Sequence, residues 1–309
     1  SKTPFVERAR IPSAIVVGAL VVTGLLRFAD AFEGLENALY DLRAKGHPAA
    51  EVSNRIVPIP VDDASTERVG KWPWPRPVTG ALARDLHESG ARVVLLDLTF
   101  KDASQTAAED AQFVEVISGA GSTIAAYGGN EVADPAEDIA ESQRAALASF
   151  VPRIPLHVRG AATAFPDAPV IERLNLPISG FVDTLSAGGD SGQPTIAIAK
   201  TTKDPDGKVR YMPLLFRWNP IDRAKAIADP GERRWLPTLV LATLCRWYGV
   251  DPTTLRAEPG VLILPAAHGP GENAMRDVRI PVDAGGRLLV RYAKSGVLAA
   301  PFHSAFRAR

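Results

Sequence analysis

Three carboxylates, Asp62, Asp63 and Asp97, bracket a short segment that holds Trp72, Trp74 and Arg76. Clustered carboxylates at strand ends can hold a hard divalent cation, or divide nucleophile and general-acid work in phosphoryl transfer. A guanidinium beside two indoles offers different chemistry: Arg76 is available to an anion, with the tryptophans as one rigid wall of a crevice. Each group also has a purely structural use. Aspartate at the end of a strand caps the next helix, tryptophans fill cores, and Arg76 could pair with Asp63 or Asp97. No Gly-rich phosphate cradle and no Ser/His pairing lies nearby. The reading is therefore of six candidate ligand contacts, with no catalytic set and no metal site.

The elements that must position these residues are legible in the same stretch. Residues 56–61 (IVPIPV) and 93–96 (VVLL) are short, β-branched-rich and bounded by turn residues, as strands buried on both faces of a parallel sheet are. Between them a helix after Pro77 carries Val78, Ala81, Leu82, Asp85 and Leu86, and Gly90 closes it. Ser65 or Thr66 starts a short helical turn leading to Gly70. Prolines at 73, 75 and 77 make residues 72–77 a stiff polyproline-like connector that cannot be helix. The pattern predicts a β-α-β unit whose strands end on one sheet edge, with Asp62, Asp63 and Asp97 near one crevice.

With 309 residues, 46% of them hydrophobic, the chain can bury a substantial core. Its 35 basic and 35 acidic residues cancel and form no basic stripe, which excludes a nucleic-acid partner. The single Cys245 lies in an apolar helical pattern and is read as a core thiol. His47, His87, His157, His268 and His303 lack metal-ligand spacing.

Lys2, Arg8 and Arg10 precede an uncharged run over residues 11–26 (IPSAIVVGALVVTGLL). As a helix this run is about 24 Å long, against roughly 30 Å of hydrocarbon, so it predicts a membrane anchor helped by snorkelling of Arg27, with the basic end inside. A cleaved signal peptide, with Ala29-Asp30-Ala31 as the site, and a buried soluble helix are the alternatives. Phe28, Phe32, Leu35, Leu39 and Leu42 then continue a heptad-like stripe, to pair with a second subunit or to lie on the following domain. Gly46-His47-Pro48 ends that helix. The divisions are a cytoplasmic flank (1–10), a transmembrane helix (11–28), a juxtamembrane helix (29–46) and a main domain (47–306).

Further on, residues 107–121 read as a helix with Phe113, Val116 and Ile117 inward. Residues 123–127 follow as a strand, with Gly128-Gly129 as its turn. Residues 131–141 are acidic and read as a solvated face, and 145–150 as a helical turn. Residues 195–200 and 209–216, joined by Asp204-Pro205-Asp206-Gly207, predict a β-hairpin. Residues 235–248 (WLPTLVLATLCRWY) predict a core helix. Strands are expected at 261–264, 278–282 and 288–292, with Ala284-Gly285-Gly286 as a turn. The fold class is α/β: a mixed, largely parallel sheet flanked by helices, preceded by an N-terminal membrane-anchor helix that continues into the domain.

The pieces IVPIPVDDAS (56–65), GKWPWPRP (70–77), GARVVLLDLTF (90–100), DPDGKVRYMPLL (204–215), WLPTLVLATL (235–244) and RIPVDAGGRLLVRY (279–292), in this order, resemble the type-two CHASE domain, CHASE2. The resemblance covers roughly residues 30–300. It implies an extracellular sensory module with a membrane anchor before it, further membrane helices after it, and a cytoplasmic effector beyond those. The effector would be an adenylate or guanylate cyclase, a histidine or serine/threonine kinase, or a diguanylate cyclase. On that pattern the chain is a fragment, its domain cut before a final strand. No cofactor is expected within it, Mg²⁺ and ATP belonging to the effector. The implied partners are an unidentified small ligand or ion, the lipid bilayer through residues 11–28 and a second copy of the chain. The implied place is the bacterial inner membrane, with the main domain periplasmic.

Overall fold

The structure is a computed structural model that describes residues 16, 18, 21, 22, 24, 31–46, 55–119, 123–131, 141–186, 196–219, 234–271 and 274–292. The chain divides into two compact units, Ser1–Ser53 with Arg291–Gly296, and Asn54–Val290 with Val297–Arg309. In the first, helix α1 spans Ala31–Gly46 and carries Arg43 and Lys45 in its last turn, where they complement the helix dipole. Leu35, Leu39 and Leu42 on it are exposed. Among the described residues no helix is long and apolar enough to cross a membrane. The anchor expected over residues 11–28 lies almost wholly outside the described residues.

In the second unit the order begins with helices α2 (Asp63–Val69) and α3 (Arg76–Glu88), strand β1 (Val94–Thr99), helix α4 (Ala107–Gly119) and strand β2 (Thr123–Asn130). It continues with α5 (Glu141–Phe150), α6 (Ala161–Ala164), β3 (Val170–Ile171), β4 (Arg173–Asn175), α7 (Ser179–Ser186), β5 (Ile196–Ile198), β6 (Tyr211–Pro213) and β7 (Leu215–Trp218). The last elements are β8 (Trp235–Pro237), α8 (Leu239–Tyr248), β9 (Arg256–Glu258), β10 (Val261–Ala267), β11 (Arg276–Pro281) and β12 (Arg287–Leu289).

β2 is the centre of the first sheet, pairing in parallel with β1 and β5 and antiparallel with β4. Side chains alternate across a strand, and both faces of β2 are covered. Ala125 and Tyr127 enter a core with Phe113, Ile117, Phe150 and Phe181, whereas Ile124 and Ala126 pack with Leu239 and Ala242 of α8. The opposite side of α8 brings Leu241 and Cys245 into a second core with Leu262, Leu264 and Ile280. A helix gripped on two sides is apolar nearly all round, which explains the run at 235–248. Burial and the nearby charge of Asp251 push the Cys245 thiol up to about 12, so it stays a protonated core group.

Several expectations are corrected. Residues 56–61 form no strand, and Ile56 and Val57 are exposed. Pro58 and Pro60 remove two ladder donors from a six-residue run, so the expected β-α-β unit lacks its first strand and, among the described residues, β1 is a sheet edge. The predicted hairpin is also absent, because β5 joins β2, β6 pairs with β12, and β7 with β3 and β8. Gly128 and Gly129 lie inside β2, not in a turn; a Cβ on Gly129 would stand 2.9 Å from Ile171 and 3.0 Å from Ile198. Residues 235–237 are strand, and α8 starts after Thr238, whose Oγ1 accepts from the Leu241 amide at 3.4 Å. Away from β1, β2 and β5 the pairings are mostly antiparallel, so small mixed sheets replace the largely parallel one.

The 204–207 turn does form, with the Gly207 amide donating to the Asp204 carbonyl at 2.8 Å and Gly207 at φ +80°. Buried Arg210 clamps it by donating to the carboxylates of Asp204 and Asp206, each at 2.7 Å. That donation, ahead of every other influence, lowers the Asp206 carboxyl from 3.8 to about 2. Its contribution to stability is therefore present above the unfolded value near 3.8 and is lost as pH falls through about 2. Acid titrations of the wild type and of Asp206→Asn are expected to diverge above pH 4, with the wild type the more stable, and to converge near pH 2.

Candidate functional site

Residues 55–110 place each of the six candidate contacts. Asp62 is the N-cap of α2, its carboxylate accepting from the Ser65 amide at 2.8 Å and from the Ser65 hydroxyl. Losing that cap in Asp62→Ala is expected to cost about 1 kcal/mol, seen as a lower urea midpoint. Asp63 is the first residue of α2 and is exposed. A helix that starts with two carboxylates at its positive end is electrostatically favoured, which is a structural reason for the pair.

Trp74 is 7% exposed and Trp72 40%. They meet edge to face, with centroids 5.3 Å apart and planes at 77°. Trp74 packs with Leu82 and Ile59, and its Nε1 donates to the Gly70 carbonyl at 2.6 Å. One indole therefore fixes the segment while the other is left to solvent.

Arg76 and Pro77 are helical, against expectation. A proline in the first turn forfeits only an amide that has no partner inside the helix. The Arg76 side chain is buried and pairs with Asp110 of α4, donates to the Asp102 carbonyl, and lies 5.5 Å over the Phe100 ring. Asp110 also accepts from the Ser104 amide at 3.1 Å. The guanidinium thus pins the loop after β1 to two helices, and its partner is neither Asp63 nor Asp97. The sequence signal for Asp110 was its place three before Phe113 and seven before Ile117, on the inward stripe of α4. A carboxylate on a buried stripe requires a buried cation.

Asp97 lies within β1, not at its end. It projects from the same face as Val93 and Leu95 and is exposed. Among the described residues neither Asp63 nor Asp97 forms an ion pair, and no three His, Cys, Asp or Glu side chains are grouped to hold a metal ion. The structure gathers Arg76, Phe100, Asp102 and Asp110 at the C-terminal end of β1, and of the six candidate contacts Asp63, Trp72 and Asp97 are the exposed ones.

The CHASE2 domain pattern matches residues 16–308, nearly the whole chain. No curated protein and no solved structure matches it.

Proposed function

The chain belongs to the CHASE2 domain family, extracellular sensory domains found in signalling proteins, and we propose from this that it is the extracytoplasmic input domain of a membrane receptor with a nucleotide cyclase as effector. The observation that carries the reading is the match over residues 16–308. In this reading residues 11–28 anchor the chain in the bacterial inner membrane and the main domain is periplasmic. The exposed leucines of α1 are the seam of a homodimer, because an apolar stripe at heptad spacing loses its contact with water when a second copy covers it. A ligand that alters this pairing would bias the effector by its differential affinity for the two arrangements.

Of the six candidate contacts, Asp62, Trp74 and Arg76 hold shape, while Asp63, Trp72 and Asp97 are the ligand groups. With Arg76 neutralised by Asp110, the three remaining candidate contacts are acidic and aromatic. That suits a cation, attracted by carboxylates and by the face of an indole. The test is effector output of the full-length protein with Asp63→Ala, Trp72→Ala and Asp97→Ala. Altered basal or stimulated output with unchanged thermal stability supports the reading, and unchanged output in all three removes these residues from it. A histidine or serine/threonine kinase effector is distinguished by phosphotransfer in place of cyclic-nucleotide formation.

A further inference from the structure

Among the described residues, the Tyr127 hydroxyl and Trp218 Nε1 are interior polar atoms with no hydrogen-bond partner. Their side chains are 0% and 1% exposed. They come from different strands, β2 and β7, yet Phe150 at the end of α5 stands edge-on to both. Its ring centroid is 5.3 Å from that of Tyr127 at 80°, and 6.1 Å from that of Trp218 at 89°. All three rings belong to one apolar cluster. Unmatched buried polar groups are rare in folded proteins, and a bound molecule is one of the physical explanations for them. Here two fall on one aromatic triad. An indole N–H only donates, whereas a phenol both donates and accepts. An ion would lose its hydration among apolar walls without a countercharge.

We propose that the Tyr127–Phe150–Trp218 triad encloses one small uncharged molecule, which accepts a hydrogen bond from Trp218 Nε1 and exchanges one with the Tyr127 hydroxyl. Its chemistry is that of water or of a neutral solute of a few heavy atoms, such as an alcohol or amide. This site deepens the sensor reading, and rests on it only for any consequence in signalling.

Stability of the 309-residue chain tests the site without reading effector output, so failure of the site and failure of the sensor reading are separately visible. Tyr127→Phe is close to isosteric. Removal of a bridged hydroxyl is expected to lower Tm by about 2–6 °C, whereas removal of an orphaned one relieves its desolvation and raises Tm, which would overturn the proposal. In a cycle with Trp218→Phe, a shared molecule makes the double variant lose less than the sum of the singles, and strict additivity also overturns it. Should Trp218→Phe fail to fold, the sign of the Tyr127→Phe shift decides alone. Mass spectrometry of the supernatant from the dialysed and then unfolded protein separates the two sources: a released organic molecule identifies a solute, and none, with Tm still lowered in Tyr127→Phe, identifies water.

Discussion

Asp110→Ala is expected to destabilise the main domain by about 3–5 kcal/mol, since it leaves the Arg76 guanidinium buried without its countercharge. The substitution also deprives the Ser104 amide of its acceptor, and so frees the loop between β1 and α4. The reciprocal change, Arg76→Met, is expected to be comparably severe because it strands Asp110. Replacing both, Arg76→Met with Asp110→Leu, should recover most of the loss, as apolar side chains of similar size often match a buried ion pair in stability. Urea unfolding of the four proteins measures this directly. A double variant as unstable as the worse single would show that the contacts to Asp102 and Phe100 carry the energy instead.

Gly160→Ala is the second large effect. Gly160 sits at φ +80° just before α6, and a Cβ there would run into the Ala257 carbonyl oxygen. The left-handed conformation costs an L-residue about 1–2 kcal/mol, and displacing packed backbone adds about 1–3 kcal/mol. The Ala257 amide is already committed to the Arg159 carbonyl at 2.8 Å, so β9 cannot move away without breaking that bond. A loss of about 2–5 kcal/mol is expected. By contrast Gly70→Ala meets no neighbouring atom, and should cost only the strain of its φ. A thermal melt of each variant separates crowding from backbone strain.

Local periodicity made much of this molecule legible. The helix after Pro77, the helix from residue 107, strands through 94–96 and 123–127 and the core role of Cys245 all follow from patterns within one element, although the observed helix begins earlier, at Arg76, and the strands run on to Thr99 and Asn130. What depends on distant partners did not. Residues 56–61 are β-prone by composition, and only the prolines at alternate positions mark them as unable to join a ladder. The turn at 204–207 was visible, but its flanking strands take partners far away in sequence, Arg287–Leu289 for β6 and Thr123–Asn130 for β5. In the candidate site, the contrast between Trp72 and Trp74 could not be read from two identical residue types. The partner of Arg76 is encoded thirty-four residues on, in an aspartate on the inward stripe of α4.

The central claim, that this CHASE2 domain senses a small ligand, is tested most directly by thermal shift of the purified chain against a panel of metal cations, amines, amino acids and dicarboxylates. The account predicts a saturable rise in Tm with at least one cationic compound, on the order of 5–10 °C at a hundredfold excess over its Kd. It also predicts that Trp72→Ala and Asp97→Ala diminish that rise while Asp206→Asn retains it. A panel that leaves Tm unmoved, or a shift that survives both substitutions undiminished, contradicts the account.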